Sequence, residues 1–254
     1  MTIVVLYLLY ATALSLALAF AGHRSAAKEP SGTTTVSRDT CSRPMRVLIV
    51  GATGGTGRQL VTQGLNLGHE VTAFVRDPAK LGMEHPRLRV AQGDVLDYRS
   101  VESVVEGQDA VVSALGHKRY YPPNRILSNG TANLLRAMEA HQVPRLVCET
   151  SLGIGDSAGR MGIYYTFLVI PAILPFYYWD KTRQERAIAR SETDWVIVRP
   201  GALTDDERRG RVRHGPDVGS YIRTVKVSRA DVAEFMLKQL VSDAYLRTAV
   251  GVSG

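Results

Sequence analysis

Seven residues, Gly51-Ala52-Thr53-Gly54-Gly55-Thr56-Gly57, restrict this chain more than any others. They follow Met45–Val50 (MRVLIV), a short continuous apolar run rich in β-branched residues that suits a buried parallel strand. They precede Arg58–Leu67, which reads as a helix. Strand, glycine turn and helix in that order are the setting in which a glycine triplet holds a dinucleotide. Gly51 permits the tight turn, Gly54 lets the backbone approach a pyrophosphate, and Gly57 allows close packing of helix on strand. The phosphates are expected at the helix N-terminus, where N–H groups and the helix dipole favour negative charge. Thr53, Gly55, Thr56 and Arg58 belong to the same expected binding turn.

The second strand, Glu70–Val75 (EVTAFV), ends at Arg76-Asp77-Pro78. An NAD-selective site usually carries an acid at this strand end to bond the ribose 2′-hydroxyl, whereas arginine suits a 2′-phosphate. Arg76 follows the strand directly, with Arg58 and Lys80 as further cations, and Asp77 reads as a turn residue ahead of Pro78. NADP(H) is therefore expected in preference to NAD(H).

Further along, Leu88–Ala91, Ala110–Ser113, Arg145–Glu149 and Trp195–Val198 read as strands. Helices are expected over Ser100–Glu106, Asn124–His141 and Trp179–Ser191. Such alternation predicts an α/β fold: a single Rossmann-type, doubly wound parallel sheet over 45–254, with helices on both faces. A chain of 254 residues is long enough for one such domain. The net charge of +7 is not gathered into a dense basic tract, so no nucleic-acid partner is expected. Cys41 and Cys148 are too few for a disulfide framework, and the six histidines show no ligand spacing, so no metal site is expected.

Ahead of this domain, residues 2–22 carry no charge and read as a hydrophobic helix of about the length a bilayer core requires. Arg24, Lys28, Arg38, Arg43 and Arg46 follow it, which predicts a membrane anchor with the domain on the cytoplasmic side. Small-residue patterns at Ala17-Leu18-Ala19 and Ala19-Phe20-Ala21 keep a cleaved signal peptide open. The acid-poor, Ser/Thr/Ala-rich stretch 23–44 reads as a disordered linker or as a transit-like segment, with a plastid or other organelle as the alternative destination. A second uncharged stretch, residues 163–179 (IYYTFLVIPAILPFYYW), carries aromatic residues at both ends. It is too short to span and lies between strands of one sheet, so an apolar lid or a membrane-docking loop is expected. Either favours a lipophilic ligand. Membrane contact is thus expected through 2–22, with 163–179 as a second candidate.

From Met45 to about Val252 the chain resembles the atypical short-chain dehydrogenase/reductases, in particular the single-domain group that includes flavin reductase/biliverdin reductase B-type enzymes. The matching residues are GATGGTG at 51–57, VRDPAKL at 75–81, GDVLD at 93–97, GQDAVVSALG at 107–116, WVIVRPGALTD at 195–205 and SRADVAEFMLKQL at 228–240. The resemblance implies that Asp94 and Val95 lie near the adenine. It places Ala114, Leu115 and Gly116 along the cofactor, and Arg199-Pro200-Gly201 on the nicotinamide side. All fall at the carboxyl ends of strands, where ligands of open α/β sheets bind.

Hydride transfer needs chiefly position, with nicotinamide and acceptor held together away from water. In many members of the resembled family a Ser, a Tyr and a Lys assist. Here Thr150 and Ser151 end the fifth strand, and Tyr177-x-x-x-Lys181 has the family spacing, which puts both side chains on one helical face. Tyr178 competes with Tyr177 for the site-facing position. The expected activity is NADP(H)-dependent hydride transfer to a flavin, quinone or other lipophilic acceptor. The alternative is a non-catalytic NADP(H)-binding redox sensor or membrane-complex assembly factor.

Overall fold

The computed structural model describes residues 2–22 and 43–254. The linker or transit reading of 23–44 falls almost wholly outside the described residues, as does Cys41. The elements run α1 (Thr2–Gly22), β1 (Arg46–Val50), α2 (Gly55–Asn66), β2 (Glu70–Val75), β3 (Leu88–Gln92), α3 (Tyr98–Val105), β4 (Ala110–Ser113) and α4 (Ile126–Ala140). They continue with β5 (Arg145–Glu149), α5 (Ile170–Ala172), α6 (Pro175–Ala189), β6 (Asp194–Pro200), β7 (Ala202–Thr204), β8 (Arg213–Gly215), β9 (Lys226–Ser228), α7 (Arg229–Lys238) and β10 (Thr248–Ser253).

The main sheet has the order β3-β2-β1-β4-β5-β6-β10-β8, parallel throughout except for β8, which runs antiparallel along β10. Strand β1 shows why the sheet is covered on both sides. Its alternate residues Val47 and Ile49 enter one core with Leu60, Val61 and Leu65 of α2 and Val232, Phe235 and Met236 of α7. Leu48 and Val50 enter the opposite core with Val101 and Val104 of α3, Leu134 and Met138 of α4, and Ile188 of α6. Each such aliphatic side chain contributes roughly 1.5–3 kcal/mol on burial, so a slip of one residue would lose little by exchange of faces. The neighbouring strand pairings hold the register, with Val47 opposite Val71 on one side and Ala110 on the other. Strand order reverses beside β1, and β1 and β4 open a crevice at their carboxyl ends.

Helix boundaries differ from expectation by one to four residues, and two starts differ most. Helix α2 starts at Gly55 rather than Arg58, which draws the end of the glycine turn into the first helical turn. Helix α6 starts at Pro175 rather than Trp179, because proline is preorganised for a first helical turn and loses nothing there by lacking an N–H.

The stretch 163–179 is helical and not a loop. Residues 163–172 coil continuously through a wide π-type turn at Tyr165–Val169 into α5, and α6 follows. Pro171, which has no N–H to donate, sits within this coil.

Helix α1 does not stand apart from the domain. Ala11 is fully buried, and Leu14 packs against the cluster Ile154, Ile170 and Tyr178. The hydroxyls of Tyr7 and Tyr10 donate to the carbonyls of Leu168 and Pro171 at 3.5 and 3.4 Å. Among the described residues no helix is long and apolar enough to cross a membrane. The expectation of a free-standing span is thus replaced by a helix with one side docked on the 163–179 segment. Its other side, with Ile3, Leu6 and Leu9, is exposed.

Candidate active site

A cavity of about 600 Å³ opens at the carboxyl ends of β1, β2, β4 and β5. Its floor is the glycine turn. Gly51 has φ +80°, a left-handed conformation suited to glycine, and a Cβ there would lie 2.5 Å from the Ala114 carbonyl oxygen. A Cβ at Gly57 would overlap the Gly51 carbonyl oxygen and lie 2.8 Å from Ala52 Cα. Helix α2 and the β1–α2 turn are therefore in direct backbone contact, as the sequence pattern demands. The α2 N-terminus has no side-chain cap, so its first N–H groups remain for a ligand. Gly51, Thr53, Gly54, Gly55 and Thr56 all line the cavity, while Gly57 acts from beneath.

At one end of the cavity stand Arg76, Asp94 and Val95, with Phe74 beside them. The Arg76 side chain is exposed at the end of β2. Asp77 is a turn residue, as its sequence position suggests: its carboxylate accepts from the Ala79 N–H at 3.2 Å and pairs with Lys80 at 3.2 Å. Arg58 is a correction. Its guanidinium donates to the carbonyls of Leu81 (2.8 Å) and Lys80, tying α2 to the 78–81 turn, and it does not line the cavity.

At the other end the cavity meets Ala114, Leu115, Gly116, Thr150, Tyr177 and Lys181. Lys181 is buried, with Nζ donating to the Glu149 carbonyl at 3.4 Å and lying 5.3 Å from the Tyr177 ring centroid. The two side chains share one face of α6, as their spacing predicts. Ser151 is a second correction. Its hydroxyl bonds Tyr178, not Tyr177, at 2.9 Å, and Tyr178 also donates to the Leu152 carbonyl at 3.1 Å. Neither Ser151 nor Tyr178 lines the cavity. Burial holds the Tyr178 hydroxyl well above the ordinary phenol range. The three expected catalytic residues are therefore not assembled: Tyr177 and Lys181 line the cavity, whereas the part-buried Ser151 is bonded to Tyr178. Replacing Tyr178 by phenylalanine should cost about 1–2 kcal/mol of stability by removing both bonds. It should leave ligand affinity within twofold, a contrast that chemical denaturation and titration calorimetry would read.

Pro200 is a third correction. It lies in buried β6 and does not line the cavity. Its neighbour Arg199 is fully engaged, with its guanidinium on both Glu185 oxygens at 3.0 and 2.7 Å and on Asp156. Glu185 also accepts from the Thr150 hydroxyl at 2.6 Å. The segment that the resemblance places beside a nicotinamide thus contributes a buried ion cluster that fixes Thr150 from behind.

Sequence reasoning missed several cavity residues with chemistry: the cations Lys118, Arg119 and Arg229, and also Glu149 and His117. Glu149, in β5, is 6% exposed, and Thr56 Oγ1 donates to its Oε1 at 3.2 Å. Burial raises its pKa, with Lys181 and the Thr56 bond opposing. His117, just after Gly116, packs edge-on against Tyr177 with ring centroids 5.1 Å apart. Neither residue belongs to a spacing motif, so only their position at strand ends could have marked them. Cys148 lies within the core, and burial pushes its thiol up to about 12. Among the described residues no cluster is suited to a metal ion.

The glycine cradle, the open helix N-terminus and the size of the cavity fit an extended dinucleotide. Comparison with known proteins agrees. The chain belongs to the NAD(P)H-binding family, whose pattern matches residues 51–243. It is 29% identical over 206 residues to an uncharacterized chloroplastic protein of Arabidopsis thaliana, covering 78% of this chain and 72% of that one. A match to an isoflavone reductase homolog of Zea mays, 34% identical over 150 residues, covers 50% of this chain and 48% of that protein. The chain thus spans about half the length of that curated relative. Among solved structures, the anaerobilin reductase ChuY of Escherichia coli O157:H7 superposes with TM-score 0.65 at 22% identity, covering 82% of this chain and 96% of that one. That likeness is one of fold.

Proposed function

We propose that this NAD(P)H-binding protein is an oxidoreductase that uses NADP(H) to reduce a lipophilic acceptor carrying a carbonyl or a flavin-like ring. The observation that carries the reading is one cavity with a phosphate cradle and a cation at one end and an aromatic, partly apolar end at the other. Reductases occur among the relatives by name, including the Zea mays homolog and ChuY. A dinucleotide would lie with its pyrophosphate on Gly54–Thr56, its adenosine end toward Asp94 and Val95, and its 2′-phosphate near Arg76. Bound nicotinamide supplies a hydride; the chain's own part is placement and exclusion of water. Lys181, held by the Glu149 carbonyl, is available to a ribose hydroxyl or to the Tyr177 hydroxyl. Tyr177 is the hydroxyl able to pass a proton to a reduced acceptor.

Arg76 supports NADP(H) over NAD(H), because Asp77 is committed to its own turn and no acid closes the end of β2. Replacing Arg76 by alanine should weaken NADPH roughly tenfold to a hundredfold, about 1.4–2.8 kcal/mol, and leave NADH within about twofold. Equal losses for both nucleotides, read by calorimetry, would remove Arg76 from the 2′-phosphate.

The separation of Ser151 from Tyr177 favours a second reading, a non-catalytic NADP(H)-binding sensor or assembly factor. It predicts nucleotide binding without turnover. Membrane contact belongs to either reading. The outer side of α1 is exposed, as are Ile163, Tyr164, Leu168 and Ile173 of the segment it docks on, an apolar set suited to lying on a lipid surface instead of crossing it. A plastid location is the companion proposal, supported by the chloroplastic relative.

A further inference from the structure

We infer that Arg229 is a ligand of the dinucleotide's pyrophosphate, leaving its ion pair with Asp205 to close over the glycine turn. The inference rests on the placement of the pyrophosphate over Gly54–Thr56 and is independent of the acceptor.

Gly55 carries the first observation. It begins α2 without a positive φ, so no special backbone conformation reserves this position for glycine. What requires glycine is space: a Cβ there would overlap Arg229 Cδ and lie 2.6 Å from its Nε. Arg229, the first residue of α7, thus lays its side chain directly across the first residue of α2. Both residues line the cavity. A guanidinium is thereby held at the turn whose uncapped N–H groups remain for an anion.

The pairing of Arg229 is the second observation. Its Nη1 donates to Asp205 Oδ1 at 2.7 Å, and among the described residues no other bond holds the guanidinium. The Asp205 side chain is 87% exposed, so solvent screens this pair and it contributes little. A pyrophosphate set in the cavity is the better partner, because its oxygens match the planar donor fork and its charge is less screened there.

Charge balance points the same way. Thr56 ties the buried Glu149 carboxyl to the same turn, so an incoming pyrophosphate meets an acid. Arg229 offsets that repulsion, since its charge already acts on Glu149, with that of Lys181, against the effect of burial. The role differs from that of Arg76. A pyrophosphate is common to NADP⁺ and NAD⁺, so Arg229 should strengthen both alike and leave their ratio unchanged.

Titration calorimetry on the full chain tests this with NADP⁺, NAD⁺ and adenosine 2′-monophosphate, which keeps the 2′-phosphate but has no pyrophosphate. Arg229→Met, which keeps an unbranched stem over Gly55, should weaken NADP⁺ and NAD⁺ each about tenfold. Adenosine 2′-monophosphate should stay within about twofold, with the unfolding transition unchanged. Arg229→Lys should recover part of the loss. Asp205→Asn should tighten NADP⁺ about twofold to fivefold, the weight of an exposed ion pair released. Arg229→Met without effect on either dinucleotide, beside a Gly54→Ala that still loses affinity, would overturn the role of Arg229 alone. No loss in either variant would overturn the pyrophosphate placement as well. An equal loss for adenosine 2′-monophosphate, or weaker NADP⁺ in Asp205→Asn, would make Arg229 a structural residue and overturn the inference.

Discussion

Substituting alanine for Gly57 should unfold the nucleotide cradle even before any nucleotide is offered. The new Cβ would overlap the Gly51 carbonyl oxygen and press on Ala52 Cα at 2.8 Å. Both contacts are backbone, so no side chain can swing aside to relieve them. Helix α2 would have to lift from β1, where Leu60, Val61 and Leu65 pack on Val47 and Ile49. A loss of about 3 kcal/mol or more is expected, the upper range for overpacking in a close-packed core. NADP(H) affinity should fall at least a hundredfold with it. Gly54→Ala is the informative companion. Its Cβ would meet only the Gly51 oxygen, at 3.3 Å, a distance that a small shift relieves. It should therefore leave stability within about 1 kcal/mol while still obstructing the pyrophosphate. Urea denaturation read beside nucleotide titration separates the two effects. Equal stability of both variants would mean that the helix does not depend on the close approach at Gly57.

The second large effect is expected at Glu185. Arg199 and Glu185 are each 2% exposed and joined by two hydrogen bonds, with Thr150 adding a third to the carboxylate. Glu185→Ala would leave the Arg199 guanidinium in the interior with Asp156 as its remaining charged partner. Breaking a buried pair in this way typically costs 3–5 kcal/mol, because the surviving charge keeps its desolvation penalty. The double variant Glu185→Leu/Arg199→Met removes both charges and should recover most of the loss. Because Glu185 also holds Thr150 at the cavity wall, the single variant should weaken nucleotide binding more than the Tyr178→Phe variant does. A cost below about 1 kcal/mol would show that the cluster is solvated in solution.

Much of this architecture was legible in the residues. Val47–Val50 announce a strand buried on both faces, and Gly51, Gly54 and Gly57 announce the turn and the packed helix. Each is dictated by local sterics or by a short periodicity. The Arg76-Asp77-Pro78 turn was legible for the same reason, since proline fixes the turn and the aspartate caps it. What sequence left dark depends on contacts between distant segments. Arg58 beside a phosphate turn looks like a phosphate ligand until the carbonyls of Lys80 and Leu81 are seen to take it. Ser151 looks like a partner for Tyr177, but α6 turns Tyr178 inward to meet it. Adjacent tyrosines on a helix point about 100° apart, so only the docked position of α6 decides between them. His117 shows no motif at all, and its place beside Tyr177 in the cavity wall is set by the packing of α6 against the end of β4. Helix α1 reads as an independent anchor because its apolar residues encircle it. Its docking depends on a complementary surface at Ile154, Ile170 and Tyr178 that no local pattern reveals.

The central claim is transfer of reducing equivalents from NADPH to an apolar acceptor in this cavity. The most direct measurement is NADPH oxidation by the full chain with menadione, FMN or no acceptor, with NADH run in parallel and Tyr177→Phe beside wild type. Acceptor-dependent oxidation that prefers NADPH and falls at least tenfold in Tyr177→Phe is the predicted result. Tight NADPH binding with no oxidation above the acceptor-free rate would contradict the claim and leave the sensor or assembly reading in its place.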